Sequence, residues 1–127
     1  MLLLLSWIGM VHASNIVINE VVVGLDDAEP GLEWIELYNA GDVPVDMGGW
    51  TLQWGSAAAL YDGLYTFDAY VLEPGAFLVV GDESLPDVTL SGDFSFGSGA
   101  VDSDAIRLVD GVAAYTDTLI YGSPNTD

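Results

Sequence analysis

Apolar and polar residues alternate along this chain in short runs, and no stretch sustains the 3.6-residue period of an amphipathic helix. Asn15–Val23 is rich in Val and Ile and predicts a strand with Ile16, Ile18 and Val22 on one face. Leu32–Asn39 alternates cleanly, with Glu33, Ile35 and Leu37 on one side and Trp34, Glu36 and Tyr38 on the other. Both of its faces mix apolar and acidic residues, which predicts a strand at an edge or rim of a sheet. Val43–Met47 is a short strand interrupted by Pro44 and belongs at an edge. Trp50, Leu52 and Trp54 share a face of the next strand, and Leu64–Val71 predicts another. Ala76–Val80 is continuously apolar and predicts a central, fully buried strand. Beyond it, a weak strand at Phe94–Phe96 precedes a hairpin of Ala105–Val109 and Val112–Tyr115, and Thr118–Tyr121 closes the series.

Turn residues punctuate these runs. Glu73-Pro74-Gly75 fits a type II turn, because proline fixes φ and glycine accepts a positive φ. Asp110-Gly111 between apolar runs is a strong hairpin signal. Gly24–Gly31, Gly55–Gly63, Gly81–Gly92 and Gly97–Asp104 read as loops, the third with a short strand near Val88. Many short strands at close spacing predict an all-β sandwich or barrel. A length of 127 residues fits one domain.

Charge narrows the picture. Twenty acidic residues face one basic residue, Arg107, for a formal charge of −19. Disordered acidic segments lack the aromatic and β-branched residues that this chain has in plenty, so the charge coats a folded object. Such a surface repels phosphate backbones, which excludes direct nucleic-acid binding as a function class. Arg107 is expected to pair with carboxylates near it. There is no Cys, so disulfides, thiolate nucleophiles and cysteine zinc sites are excluded.

Residues 1–13 hold an apolar run from Leu2 to Val11 that ends at Val11-His12-Ala13 before Ser14. This reads as a signal peptide, too short to span a bilayer, although no Lys or Arg precedes the run. Cleavage after Ala13 would remove His12, the only histidine, and leave a domain over 14–122 without His, Cys or Lys. The expected location is therefore exported: secreted, periplasmic or at the cell surface, with no stable membrane insertion after cleavage. Residues 123–127 read as the start of a linker in a longer polypeptide.

The order of motifs resembles the lamin-tail domain in its bacterial exported form. Ile18-Asn19-Glu20 and Glu33-Trp34-Ile35-Glu36-Leu37-Tyr38-Asn39 match its first two strands. Val45-Asp46-Met47-Gly48-Gly49-Trp50-Thr51-Leu52 stands in the place of its Asp-Leu-x-Gly-Trp-x-Leu pattern, with Met47 for the usual Leu. Leu72–Val80 and Asp104–Gly111 with Asp117–Gly122 complete the series, and a long acidic loop precedes the second motif. The resemblance runs from about Ile16 to Gly122. It implies an immunoglobulin-like β-sandwich with no enzymatic activity, attached in bacteria to exported and surface proteins.

Several residue groups are candidates for function. Asp26, Asp27 and Glu29 in one loop, and Asp102 and Asp104 in another, are hard oxygen donors suited to Ca²⁺, though neither loop has EF-hand spacing. Asn19, Glu20, Glu36 and Asn39 form a polar set that could ligate a cation, cap turns or accept backbone N–H bonds. Trp34, Trp50 and Trp54 read as core residues or as an aromatic platform, with Trp50 the most core-like and Trp54 the most exposed. Ser-based catalysis lacks a base here. The favoured function is a non-catalytic interaction module that binds a protein or surface partner. A Ca²⁺-stabilised adhesion module and a carboxylate-dependent hydrolase are the alternatives.

Overall fold

A computed structural model describes residues 15–23, 32–56, 61–92, 94, 96 and 103–122. These form ten strands: β1 (Ile16–Val22), β2 (Trp34–Asn39), β3 (Val45–Asp46), β4 (Thr51–Ser56), β5 (Gly63–Thr66), β6 (Val71–Leu72), β7 (Phe77–Gly81), β8 (Leu90–Ser91), β9 (Ser103–Val109) and β10 (Tyr115–Gly122). One sheet has the order β1-β2-β7-β8 and the other β10-β9-β4-β5, while β3 and β6 pair as a ribbon. The inward residues of both sheets join in one core that includes Ile35, Leu37, Leu78 and Val80 from the first and Leu52, Ile106 and Leu108 from the second. The fold is an all-β sandwich of the immunoglobulin-like kind.

β2 obeys its alternation, with Ile35, Leu37 and Asn39 buried and Trp34, Glu36 and Tyr38 half-buried. It is nevertheless an interior strand, paired with β1 and β7, and not the edge its mixed faces predict. Glu33 explains the difference. Its side chain is buried, and Oε1 accepts the Phe96 N–H at 3.1 Å, so this inward acid has a hydrogen-bond donor at the core's end.

β1 departs from simple alternation. Its register slips between Ile18 and Glu20, leaving Asn19 as the extra residue of a bulge. The bulge reverses the facing of the residues after it, so Val21 and Val23, in place of the expected Val22, join Ile18 on the core.

β7 is central, as its apolar run predicts, but it is not buried on both sides. Leu78 and Val80 face the core, while Phe77 is 52% exposed beside Tyr38. The expected strand over Leu64–Val71 is two pieces: β5 ends at Thr66, and β6 pairs separately with β3. Phe94 and Phe96 lie in no strand, yet both are buried. The final hairpin turns through Asp110–Ala114, where the Asp110 carboxylate accepts the N–H groups of Val112 and Ala114. That moves the start of β10 to Tyr115 and merges the two expected last strands into one. The Pro-Gly turn forms as predicted, with Gly75 at φ +73° and Ala76 N–H donating to Glu73 C=O at 3.0 Å.

Trp54 is half-buried and packs on the core. Its ring lies over Gly63, its cross-strand partner, where a Cβ would come within 2.2 Å of the indole. Phe94 and Phe96 meet the same ring edge-on, each with centroids 5.3 Å away. The absent side chain of Gly63 is what admits the indole between strand and core.

Asn39 is fully buried at the far end of β2. Its Nδ2 donates to Val43 C=O and Leu72 C=O, each at 2.9 Å, and its Oδ1 accepts the Gly41 N–H at 2.9 Å. Its backbone N–H donates to Ala76 C=O and its C=O accepts from Gly75. Asn39→Ala is expected to cost about 2–4 kcal/mol, since it orphans buried carbonyls and an N–H together. Asn39→Asp should cost more, because the oxygen that replaces Nδ2 would face two carbonyl oxygens with no donor between them. Urea denaturation of the two variants checks both the magnitude and the order.

Candidate functional site

The connection from β7 to β8 builds a groove. The two strands are parallel, with Val80 opposite Leu90 and Gly81 opposite Ser91. A parallel pair requires the chain to cross a face of the sheet before it returns. The inner face is filled by Leu78 and Val80, so the arch of residues 82–89 crosses the outer face. Leu85, Pro86, Asp87 and Val88 thereby come to stand with Trp34 and Glu36 of β2 and Val79 of β7 around a cavity of about 340 Å³.

Local contacts fix the arch. The Asp82 carboxylate accepts the Ser84 N–H at 2.8 Å, and the Ser84 bonds hold Asp82 below its ordinary pKa. Leu85 N–H donates to Asp82 C=O, and Thr89 N–H donates to Val79 C=O at 2.9 Å. Asp87 takes a left-handed conformation at φ +65°, which Asp tolerates better than most residues. Gly81 lies opposite Trp34. A Cβ there would approach Trp34 Cβ at 2.8 Å and Leu85 Cδ1 at 3.4 Å, so glycine makes room for the wall of the groove.

The outer face continues past the groove. Register places Glu36 opposite Val79 and Tyr38 opposite Phe77, whose rings lie 4.7 Å apart. The bulge at Asn19 brings its Nδ2 to Glu36 Oε1 at 2.7 Å, which orients the carboxylate on this face. Glu20 is the cross-strand neighbour of Glu36 and is exposed.

The structure therefore divides the predicted polar set. Asn19, Glu20 and Glu36 gather on the outer face, whereas Asn39 is a buried turn-holder. The three tryptophans divide as well. Trp50 is buried in the core, Trp54 is half-buried against it, and Trp34, half-buried as well, lines the groove. The residues of the arch had no sequence signal as a binding wall. Val79 opposite Glu36 and the Leu-Pro-Asp-Val run become meaningful only once β8 is known to be parallel.

Of the candidate Ca²⁺ ligands, Asp26, Asp27, Glu29 and Asp102 lie outside the described residues. Asp104 is buried on β9, opposite Tyr121 of β10. No group of three or more potential metal ligands occurs among the described residues. Arg107 Nε donates to Gln53 Oε1 at 2.8 Å, and its guanidinium lies 3.6 Å from the centre of the Tyr61 ring.

A family model for the Lamin Tail Domain matches residues 11–122. The chain belongs to the lamin tail domain family. No curated protein matches this lamin tail domain. It is similar to the solved structure of the archaellum periplasmic stator protein FlaG from Sulfolobus acidocaldarius, at 12% identity over 85% of this chain and 99% of that one, with a TM-score of 0.47. It is also similar to a chain of the FlaF and FlaG stator complex of that organism, at 11% identity over 95% of this chain and 100% of that one, again with a TM-score of 0.47.

At the opposite end of β2 from Asn39, the lamin tail domain holds acids inside. Burial raises the Tyr121 pKa well above 10.0, and the Asp104 and Glu33 carboxylates raise it further, because each disfavours a phenolate. An unfolded chain releases this proton near its ordinary pKa while the folded chain keeps it. Stability is thus fully present below pH 10 and falls as pH rises beyond it. Tyr121→Phe is expected to flatten that alkaline loss in chemical denaturation curves. Tyr65, also raised by burial, will leave a residual slope.

Proposed function

We propose that this lamin tail domain is a non-catalytic interaction module of an exported protein, and that it holds a protein partner on the outer face of the β1-β2-β7-β8 sheet. The observation that carries this reading is the groove between β2, β7 and the 82–89 arch, with Trp34, Val79, Leu85 and Val88 in its lining. Concave apolar ground beside exposed Phe77 and half-buried Tyr38 suits an aromatic-rich binding surface.

The groove does contain two carboxylates, Glu36 and Asp87, as a carboxylate-dependent hydrolase would require. Glycoside hydrolysis also needs one of the pair kept protonated by burial. Asp87 is exposed on a turn and Glu36 accepts a hydrogen bond from Asn19, so neither carboxylate sits in enclosed apolar surroundings, which favours binding over acid catalysis.

Site-specific photocrosslinking in the native host tests the surface. A photoreactive phenylalanine analogue at Phe77 is expected to give a discrete protein adduct, while the same group at Leu64, 60% exposed on the other sheet, gives none. Equal adducts from both positions, or none from Phe77, would reject this face.

Export is the second part of the proposal and rests on the apolar run ending at Ala13. Intact-mass analysis of protein recovered from outside the cytoplasm is expected to show Ser14 as the first residue. Retention of residues 1–13 in that fraction would remove the signal-peptide reading. No helix among the described residues is long and apolar enough to cross a membrane.

A further inference from the structure

The geometry points to the chemistry of the occupant: the groove takes a Lys or Arg side chain of a partner protein, flanked by apolar residues of the same segment. This rests on the reading of the groove as the binding surface and adds what that surface selects. Glu36 on β2 and Asp87 on the arch line the same cavity as Trp34, Val79, Leu85 and Val88. A wholly apolar ligand would strip water from two carboxylates and return nothing to them. A cationic side chain answers both. Its aliphatic stem matches the apolar lining, its charged head matches the carboxylates, and the Trp34 indole is the best ring for a cation to approach.

Charge also selects among occupants. A second copy of this chain would bring another −19 and one cation, Arg107. That cation is already bonded to Gln53 and stacked over Tyr61, on the other sheet. The occupant is therefore a different protein, and the surrounding field steers basic segments toward the groove.

Display of random dodecapeptides against the full chain tests this, with enriched peptides synthesised and measured by titration calorimetry. The expected result is enrichment of Lys or Arg beside apolar residues, with binding weakened about five- to tenfold in a Glu36→Gln, Asp87→Asn double variant. These changes keep the shape. The glutamine amide still offers an oxygen to Asn19, and Asn tolerates a positive φ at position 87 as well as Asp does. Salt should weaken the native protein more than the double variant. A groove-blocking variant, Val88→Trp, which fills the recess without adding charge, provides the second arm. Enriched peptides without cations whose binding Val88→Trp still weakens would overturn the cation inference and leave the groove standing. Cationic peptides that bind all variants equally would overturn it too, since they then adhere elsewhere on the acidic surface. Failure to enrich any peptide, together with no crosslink from Phe77, would overturn both.

Discussion

The buried amide of Asn39 holds three segments of this molecule in place at once. It sits where β2 ends, and every polar atom of its amide is used: two donors to Val43 and Leu72, one acceptor from Gly41. It thereby joins β2 to the loop that follows it, at Gly41 and Val43, and to β6 at Leu72. Its backbone extends the β2–β7 ladder by two bonds, to Gly75 and Ala76. Such a group is costly if any partner is missing, so it accepts one arrangement of the three segments and rejects slipped ones. Register is what it controls. With Asn39 fixed beside the Pro-Gly turn, Tyr38 must meet Phe77, Glu36 must meet Val79, and Trp34 must meet Gly81. A slip of one residue would send Ile35 and Leu37 outward and dissolve the groove along with the core.

Much of this was legible in the chain, and the failures have identifiable causes. The alternation of β2, the shared face of Trp50, Leu52 and Trp54, and the Pro-Gly turn are local patterns, and local patterns hold. Glu33 misled because an inward acid implies a wet rim unless a donor waits for it. The donor is the Phe96 N–H, 63 residues away. Asn19 misled because a bulge has no composition of its own here. The hairpin loop lengthened because the Asp110 carboxylate prefers to close a five-residue loop on Val112 and Ala114. The groove was the least legible feature. It depends on β8 running parallel to β7, and two residues of pairing leave no signature in sequence.

The acidity divides into two physical roles. Most acids whose burial is described are exposed, where water screens their mutual repulsion. Glu33 and Asp104 are buried, and their fields converge on Tyr121. A sandwich can carry such a pair only where the core ends and hydrogen-bond donors are within reach, as the Phe96 N–H is for Glu33. The two ends of β2 are thus polar for opposite reasons: a neutral amide that satisfies carbonyls at one, a carboxylate that needs donors at the other.

This division shapes what the outer face can do. In the binding role proposed for it, a surface with one cation in the whole chain has little to offer an acidic partner, so its selectivity would come from where apolar ground interrupts the negative field. The β1-β2-β7-β8 sheet supplies such an interruption at the groove, because the arch between parallel strands carries Leu85, Pro86 and Val88 over a face that hydrogen-bonded strands alone would leave flat. The same crossing brings Asp87 level with Glu36. The family's sandwich provides the rigid register, and an eight-residue connection, held by Ser84, Leu85 and Thr89 backbone bonds, converts that register into a shaped and charged recess.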